Sequence, residues 1–261
     1  VGARSVSKPL TIVTFCWRGW RGDNYYNSYH VNALAEMVRQ NCSIPHRFVC
    51  VTDDPKGIRC ETVPLWGGPK IELPAKRPNC FKRLALFHRD LLPVFGPKVL
   101  QLDLDSILLD DIAPLITDDP FKIMHGKAAP YNGSMWQVTP GWCDMVWSSL
   151  SSRSAVELEK FNMRSQIPNY GSDQAWMSYK IPGAPTWNAS DGCYHFTLLY
   201  PGANSPGYRA GSRSPTAPLP QNARAVFFAG GIKPWTPDLA KHAPLLFEAY
   251  QKYMRVNFDT R

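Results

Sequence analysis

The sequence predicts an α/β protein with a mostly parallel central sheet flanked by helices. Three observations predict it. The chain opens strand, helix, strand: an apolar run at Leu10–Cys16, apolar residues at helical spacing over residues 25–42, and a second apolar run over residues 47–52. A later apolar run, Val99–Leu102, ends in two carboxylates one residue apart, Asp103 and Asp105. The apolar share of 44% is enough for a sizeable core, yet no run reaches the ~20 residues that cross a bilayer.

Each element follows in order. Within residues 25–42, Tyr26, Tyr29, Ala33, Leu34, Met37 and Val38 share one helix face, and Asn24 is placed to cap it. Asp53-Asp54-Pro55 ends the second strand, and residues 61–65 form a third. A Gly-, Pro- and Lys-rich loop over 66–79 leads to a helix over 81–92. Its Phe81, Leu84, Ala85, His88 and Leu91 line one face, and it stops before Pro93. After the carboxylate pair come a short helix (112–116), strands (121–124 and 134–138), helices (141–150 and 156–162) and a short helix (173–179). Residues 201–222, rich in Pro, Gly and Ser, form a long mobile loop. A late strand (225–229) and a terminal helix (243–255) complete a single domain without internal repeats.

Composition narrows the setting. Seven cysteines, odd in number and without Cys-x-x-Cys spacing, read as reduced thiols in a cytoplasmic protein and argue against zinc. The polar opening, residues 1–8, does not read as a signal peptide. A net charge of +8 favours anionic partners such as nucleotides, nucleic acid or membrane surfaces.

The carboxylate pair carries the chemistry. If the chain leaves the strand at Leu102, Asp103 and Asp105 can turn toward one ion, outside a core. Hard oxygens suit Mg²⁺ or Mn²⁺ completed by substrate phosphates, beyond the carboxyl end of a strand where open α/β sheets bind ligands. The bland reading is a solvated turn. A phosphatase motif with Asp103 as nucleophile is a rival, disfavoured because Ser106-Ile107 follow and Asp110-Asp111 come too soon.

In combination, the motifs resemble a GT-A-fold glycosyltransferase, nearest to the retaining family-8 type, over about residues 10–240. Asp103-Leu104-Asp105 matches the family's metal motif, Arg83-Leu84 an Arg-Leu on the preceding helix, and Asp173-Gln174 its Asp-Gln pair. Asp23-Asn24-Tyr25 resembles its Asp-Asn-Tyr, and Asn132-Gly133-Ser134 its turn beneath the sugar. Gly230, Lys233, Pro234 and Trp235 match its closing motif. One position departs: Phe227 stands where the family carries a metal-binding His. Either two Asp ligands suffice with diphosphate and water, or another group such as His195 or His125 substitutes.

The resemblance implies a single GT-A (Rossmann-like) domain spanning residues 1–261. Residues 10–105 would bind the nucleotide sugar and 106–261, with the 201–222 loop, the acceptor. It implies metal-dependent transfer of a sugar from a nucleotide-diphosphate sugar to a hydroxyl, with Mn²⁺ or Mg²⁺ on Asp103 and Asp105. Thr14, Phe15, Cys16 and Trp17 would cradle the base, and Asp53 accept a hydrogen bond from it. Arg83 would contact donor sugar or phosphate, Asp103 the ribose as well as the metal, and Lys233 the diphosphate. Asn132 would lie beneath the sugar, Gly230 would admit close backbone approach, and Asp173 and Gln174 would support the reacting ring. Acid-poor stretches holding Arg209, Arg213, Arg224 and Lys233, and Lys76, Arg77, Lys82 and Arg83, suggest a polyanionic acceptor: a glycan, or hydroxymethylpyrimidine in DNA, whose base must be exposed. The other classes are a GT-A-fold binding protein that lost its metal, and a nucleic-acid-binding module, for which no helix-turn-helix or zinc-finger pattern speaks.

Overall fold

The computed structural model describes residues 9–18, 26–65, 80–126, 130–150, 172–200, 218–228 and 231–255. Its centre is a seven-stranded sheet, in the order β3 (Glu61–Pro64), β2 (His46–Thr52), β1 (Leu10–Cys16), β4 (Val99–Leu102), β7 (Tyr131–Val138), β6 (Phe121–His125) and β8 (Thr186–Trp187). β7 alone runs against the others, so the sheet is mostly parallel as the sequence predicts. Every residue of β1 is buried, as suits an interior strand covered on both faces.

The two faces follow from the two-residue period of the strands. Ile12, Cys50, Leu100 and Leu102 pack with Val31, Leu34, Met37 and Val38 of α1 (Ser28–Gln40), and with residues of a later helix. Val13, Phe15, Val49, Val51, Val99 and Trp136 face the other way, onto the 3-10 segment Cys80–Phe87, α3 (Met145–Ser148) and α4 (Asp173–Lys180). A second sheet joins β5 (Ser106–Leu108), β10 (Ala225–Phe227) and β9 (Cys193–His195), with β10 antiparallel to β5 and parallel to β9. Among the described residues, no helix is long and apolar enough to cross a membrane.

Several elements differ from expectation for identifiable reasons. The first helix starts at Ser28 because Asn27 caps it: its Oδ1 accepts from Tyr29 N at 3.0 Å, and His30 Nδ1 accepts from Asn27 N at 3.1 Å. Asn24 lies outside the described residues. The helix expected over 81–92 is instead the 3-10 segment Cys80–Phe87, a second turn at Arg89–Leu91, and α2 (Leu92–Phe95). Pro93 starts α2 rather than following a helix, because its missing N–H is harmless in a first turn. Only Met145–Ser148 of residues 141–150 is α-helical; Gly141, at φ 85, turns the chain where a helix cannot begin.

The remaining changes are at boundaries or in short pieces. β7 starts at Tyr131, the 112–116 helix is a 3-10 turn at Ala113–Leu115, and the late strand ends at Phe227. The strands β5, β8 and β9 and the helices α5 (Phe196–Leu199) and α6 (Pro237–His242) carry too few residues for a periodic signal; the terminal helix is α7 (Pro244–Arg255). The helix expected over 156–162, and residues 201–217 of the loop expected over 201–222, lie outside the described residues.

The cap yields a stability prediction. Asn27→Ala should lower unfolding free energy by about 1 kcal/mol, the usual effect of losing a cap. Urea unfolding beside wild type measures it, and an unchanged midpoint would show that the cap contributes nothing.

Candidate active site

The parallel direction of β1, β2 and β4 brings their carboxyl ends to one edge of the sheet. β7 runs the other way, so its first residues meet that same edge: Asp103 N donates to Ser134 O at 2.9 Å. Strand periodicity puts Gln101 and Asp103 on the face covered by Cys80–Phe87. From that segment comes Arg83, 7% exposed.

Arg83 joins three groups. Its Nη1 pairs with Asp103 Oδ1 and donates to Gly133 O at 3.1 Å. Its Nε donates to Asp173 Oδ2 at 2.8 Å, and its Nη2 lies 2.5 Å from the same oxygen. Asp173 is the first residue of α4, where a negative charge opposes the positive helix end, and Gln174 N donates to its Oδ1 at 2.9 Å. Gln174 Oε1 accepts from Gly133 N at 3.1 Å, and Gln101 Nε2 donates to Asp103 Oδ1 at 3.0 Å. A side chain at position 133 has no room, since a Cβ there would lie 2.9 Å from Arg83 Nη2 and 3.4 Å from Asp173 Oδ1.

Burial pushes the carboxyls of Asp103 and Asp173 up, with Arg83 opposing. Burial acts to lower Arg83, but the two carboxylates raise it above its ordinary value.

The second half of the site is Asp105 with Lys233. Contrary to the expectation of a carboxylate outside the core, Asp105 is 5% exposed and Lys233 4%. The reason is tertiary: β5 starts at the next residue and pairs with β10, whose following segment delivers Lys233. Lys233 Nζ pairs with Asp105 Oδ2, which also accepts from the Tyr26 hydroxyl at 3.1 Å. The Trp235 ring lies 4.0 Å from that of His30, tilted by 34°, and 5.5 Å from that of Tyr26, so it is part of the packing around the pair. Burial pushes His30 down to about 4, with Asp105 opposing, so its ring is neutral at pH 7.

The donor set fits a hard divalent ion, though not with three protein ligands. Asp103 Oδ2 and Asp105 Oδ1 accept no hydrogen bond among the described residues, leaving one carboxylate oxygen each. Ions of this type are held by one or two carboxylates with phosphate and water completing the shell. Among the described residues no three His, Cys, Asp or Glu side chains cluster around an ion position. Phe227 is buried in β10 opposite Ser106 and His195. His195 Nε2 is engaged by the His125 carbonyl at 2.7 Å, so neither histidine joins the pair.

The expected base cradle is mostly sheet interior. Thr14 is buried, with its hydroxyl donating to Leu102 O at 2.9 Å, and Phe15 and Cys16 are core residues. Burial, then Asp53 and Asp54, push the Cys16 thiol up to about 11. Trp17 and Asp53 remain at the edge. Trp17 is half-buried, edge-on to Phe15 at 6.1 Å, with the Lys82 ammonium 5.8 Å from its ring centre. Asp53 is exposed and accepts from Arg18 N at 3.1 Å.

Asn132 caps its own turn, accepting from Ser134 N at 2.8 Å. Gly230, Asp23, Asn24, Tyr25, Lys76, Arg77, Arg209 and Arg213 lie outside the described residues. The expected basic rim loses three members: Arg83 and Lys233 are buried in ion pairs, and Arg224 pairs with Asp110 at 3.3 Å.

Sequence reasoning passes over Gln101, takes Tyr26 only as a helix-face position, and names Gly133 within the turn expected beneath the sugar without its backbone contacts. Only Gln101 carried a signal, as a polar residue inside an otherwise apolar strand. Tyr26 reads as one more apolar position of the helix expected over residues 25–42, whereas α1 starts at Ser28.

No protein-family model matches the chain, and no curated relative is found. Solved structures do resemble it. The galactosyltransferase LgtC, in complex with donor and acceptor sugar analogues, superposes with a TM-score of 0.53 at 16% identity, over 93% of this chain and 95% of that one. The glycosyltransferase GlyE of Streptococcus pneumoniae TIGR4 superposes with a TM-score of 0.55 at 12% identity, over 96% of this chain and 63% of that one. An active-site glutamine-to-glutamate variant of LgtC gives 0.51 at 16% identity. The chain therefore has the GT-A fold.

Two stability predictions follow from the Arg83 cluster. Arg83→Met should cost about 3–5 kcal/mol at pH 7, since it strands two buried carboxylates. Without Arg83, burial raises both Asp103 and Asp173, the charges of Asp105 and Asp173 raise Asp103 further, and protonation of such groups favours the folded state. The deficit should therefore shrink as pH falls through their folded pKa values; urea unfolding at pH 7 and pH 4.5 tests this, and a pH-independent deficit would contradict it. Gly133→Ala should cost about 1–3 kcal/mol by overpacking, against little change if Arg83 can move aside, as read by thermal unfolding.

Proposed function

We propose that this chain is a glycosyltransferase moving a sugar from a nucleotide-diphosphate sugar to a hydroxyl, with retention of anomeric configuration. The observation that carries the reading is the constellation at the sheet edge: Arg83 between Asp103 and Asp173, beside Asp105 with Lys233. It sits on the GT-A fold shared with a galactosyltransferase captured with donor and acceptor sugar analogues. It draws on both parts of the chain, 10–105 and 106–261.

The barrier to sugar transfer is departure of a diphosphate while the anomeric carbon becomes positive. A divalent ion, Mn²⁺ or Mg²⁺, held by Asp103 and Asp105 would neutralise charge on the leaving group. Lys233 pairs with diphosphate oxygens as a point charge. Asp173, 1% exposed and held by Arg83, is a positioning residue that fixes the guanidinium and the start of α4. Gln174, half-buried and oriented by the Gly133 N–H, borders the sugar ring and supports front-face attack electrostatically. The active-site glutamine of LgtC is in line with this role. Trp17 and Asp53 receive the base.

We place the reaction in the cytoplasm on cysteine usage, and the acceptor among anionic glycans on the net charge of +8. A hydroxymethylpyrimidine in DNA is the competing acceptor.

The test is a donor panel. With Mn²⁺ and a set of sugar nucleotides, the protein should consume at least one donor, and Gln174→Ala should lower kcat by ~10²–10³ with little change in donor KM. Donor binding without turnover would make the chain a GT-A-fold binding protein. Duplex DNA carrying 5-hydroxymethylpyrimidine, digested and weighed after the reaction, separates the acceptors: no hexose or pentose addition excludes DNA.

A further inference from the structure

Asp105 has two claimants. In the structure its Oδ2 is held by Lys233 Nζ and the Tyr26 hydroxyl, in a pair almost sealed from solvent. Asp105 is the only ion-pair partner of Lys233 among the described residues. Sugar transfer asks something else of both: the carboxylate belongs on a divalent ion and the ammonium on the diphosphate.

The charges show when that exchange is favourable. Asp103, Asp105 and Asp173 face Arg83 and Lys233, leaving one net negative charge. A divalent ion arriving alone must compete with Lys233 for Asp105 and then lie beside a buried, unpaired ammonium. A diphosphate arriving alone brings its oxygens up to two carboxylates. Arriving together, the diphosphate takes the ammonium and the ion takes the carboxylate, so no buried charge is left without a partner.

The local backbone permits the exchange. Lys233 N donates to Thr236 Oγ1 at 3.1 Å, and Thr236 N and Oγ1 donate back to Lys233 O at 3.0 and 2.9 Å. The main chain is thus fixed by Thr236 and not by the ion pair. The ammonium, on a flexible four-carbon stem with three donors, can leave Asp105 by side-chain rotation.

We propose that Lys233 guards Asp105 until a diphosphate draws it away, so that the divalent cation and the donor's diphosphate bind as a pair rather than the ion first. The proposal rests on the sugar-nucleotide reading above. Coupling of this kind is reciprocal: each ligand tightens the other by the same factor.

Mn²⁺ binding to the protein, followed by loss of the aqueous Mn²⁺ resonance, tests it. Wild type without a nucleotide should bind Mn²⁺ weakly, Lys233→Met at least tenfold more tightly, and Asp105→Asn not at all. In wild type, calorimetry should show pyrophosphate binding at least tenfold more tightly with Mn²⁺ than in chelator, with a smaller gain in Lys233→Met. Equal Mn²⁺ affinity in wild type and Lys233→Met, or pyrophosphate binding indifferent to Mn²⁺ in wild type, would overturn the proposal. If Lys233→Met does not fold, Lys233→Gln replaces it, keeping a donor to Asp105 without the charge; the wild-type pyrophosphate measurement decides in any case. No arm uses a sugar or a turnover. A failed transfer assay therefore leaves the exchange standing, and equal Mn²⁺ affinities leave sugar transfer standing.

Discussion

The buried guanidinium of Arg83 is the interaction on which the site depends. It ties the 3-10 segment Cys80–Phe87 to the end of β4 through Asp103, to the first residues of β7 through the Gly133 carbonyl, and to the start of α4 through Asp173. A buried ion-pair cluster is a poor source of net stability, because desolvation offsets most of the attraction. Its value is geometric. The planar fork accepts few arrangements, and the bare glycine at 133 lets it lie against the β7 backbone.

The Asp105–Lys233 pair adds a different quality. Arg83 is fixed by several acceptors at once, whereas Lys233 holds a single carboxylate from a flexible stem. One sheet edge thus carries a rigid cation and a movable one. The first sets where Asp103 and Asp173 stand; the second is held by Asp105 alone among the ion-pair partners of the described residues. Packing around the movable pair comes from Tyr26, His30 and Trp235, which exclude water without supplying another charge, since His30 is neutral at pH 7.

The small β5–β10–β9 sheet explains why the strand-end motif is not a surface turn. The chain passes from Asp105 directly into β5, and β10 lies on β5 with Phe227 opposite Ser106. That pairing carries the segment bearing Lys233 over the carboxylates. Phe227 fills this position as core, opposite Ser106 and His195.

The sequence by itself determined the sheet's first half, its helices on both faces and the carboxylate pair at its edge. Strand periodicity in β1 and β4 and helical spacing in α1 are local signals, and a charge at the end of an apolar strand is visible without a partner. It also marked Arg83, Asp103, Asp173, Gln174 and Lys233 as candidates by resemblance. Only the tertiary structure decided how these charges pair. Arg83 meets Asp173 across 90 positions, and Lys233 meets Asp105 across 128. It also decided that Thr14 through Cys16 are sheet interior, that the 81–92 helix breaks into turns, and that the short strands β5, β8 and β9 exist at all. The reason is physical: ion pairing and short-strand pairing depend on distances between segments remote in the chain, while periodicity reports only on neighbours within one element.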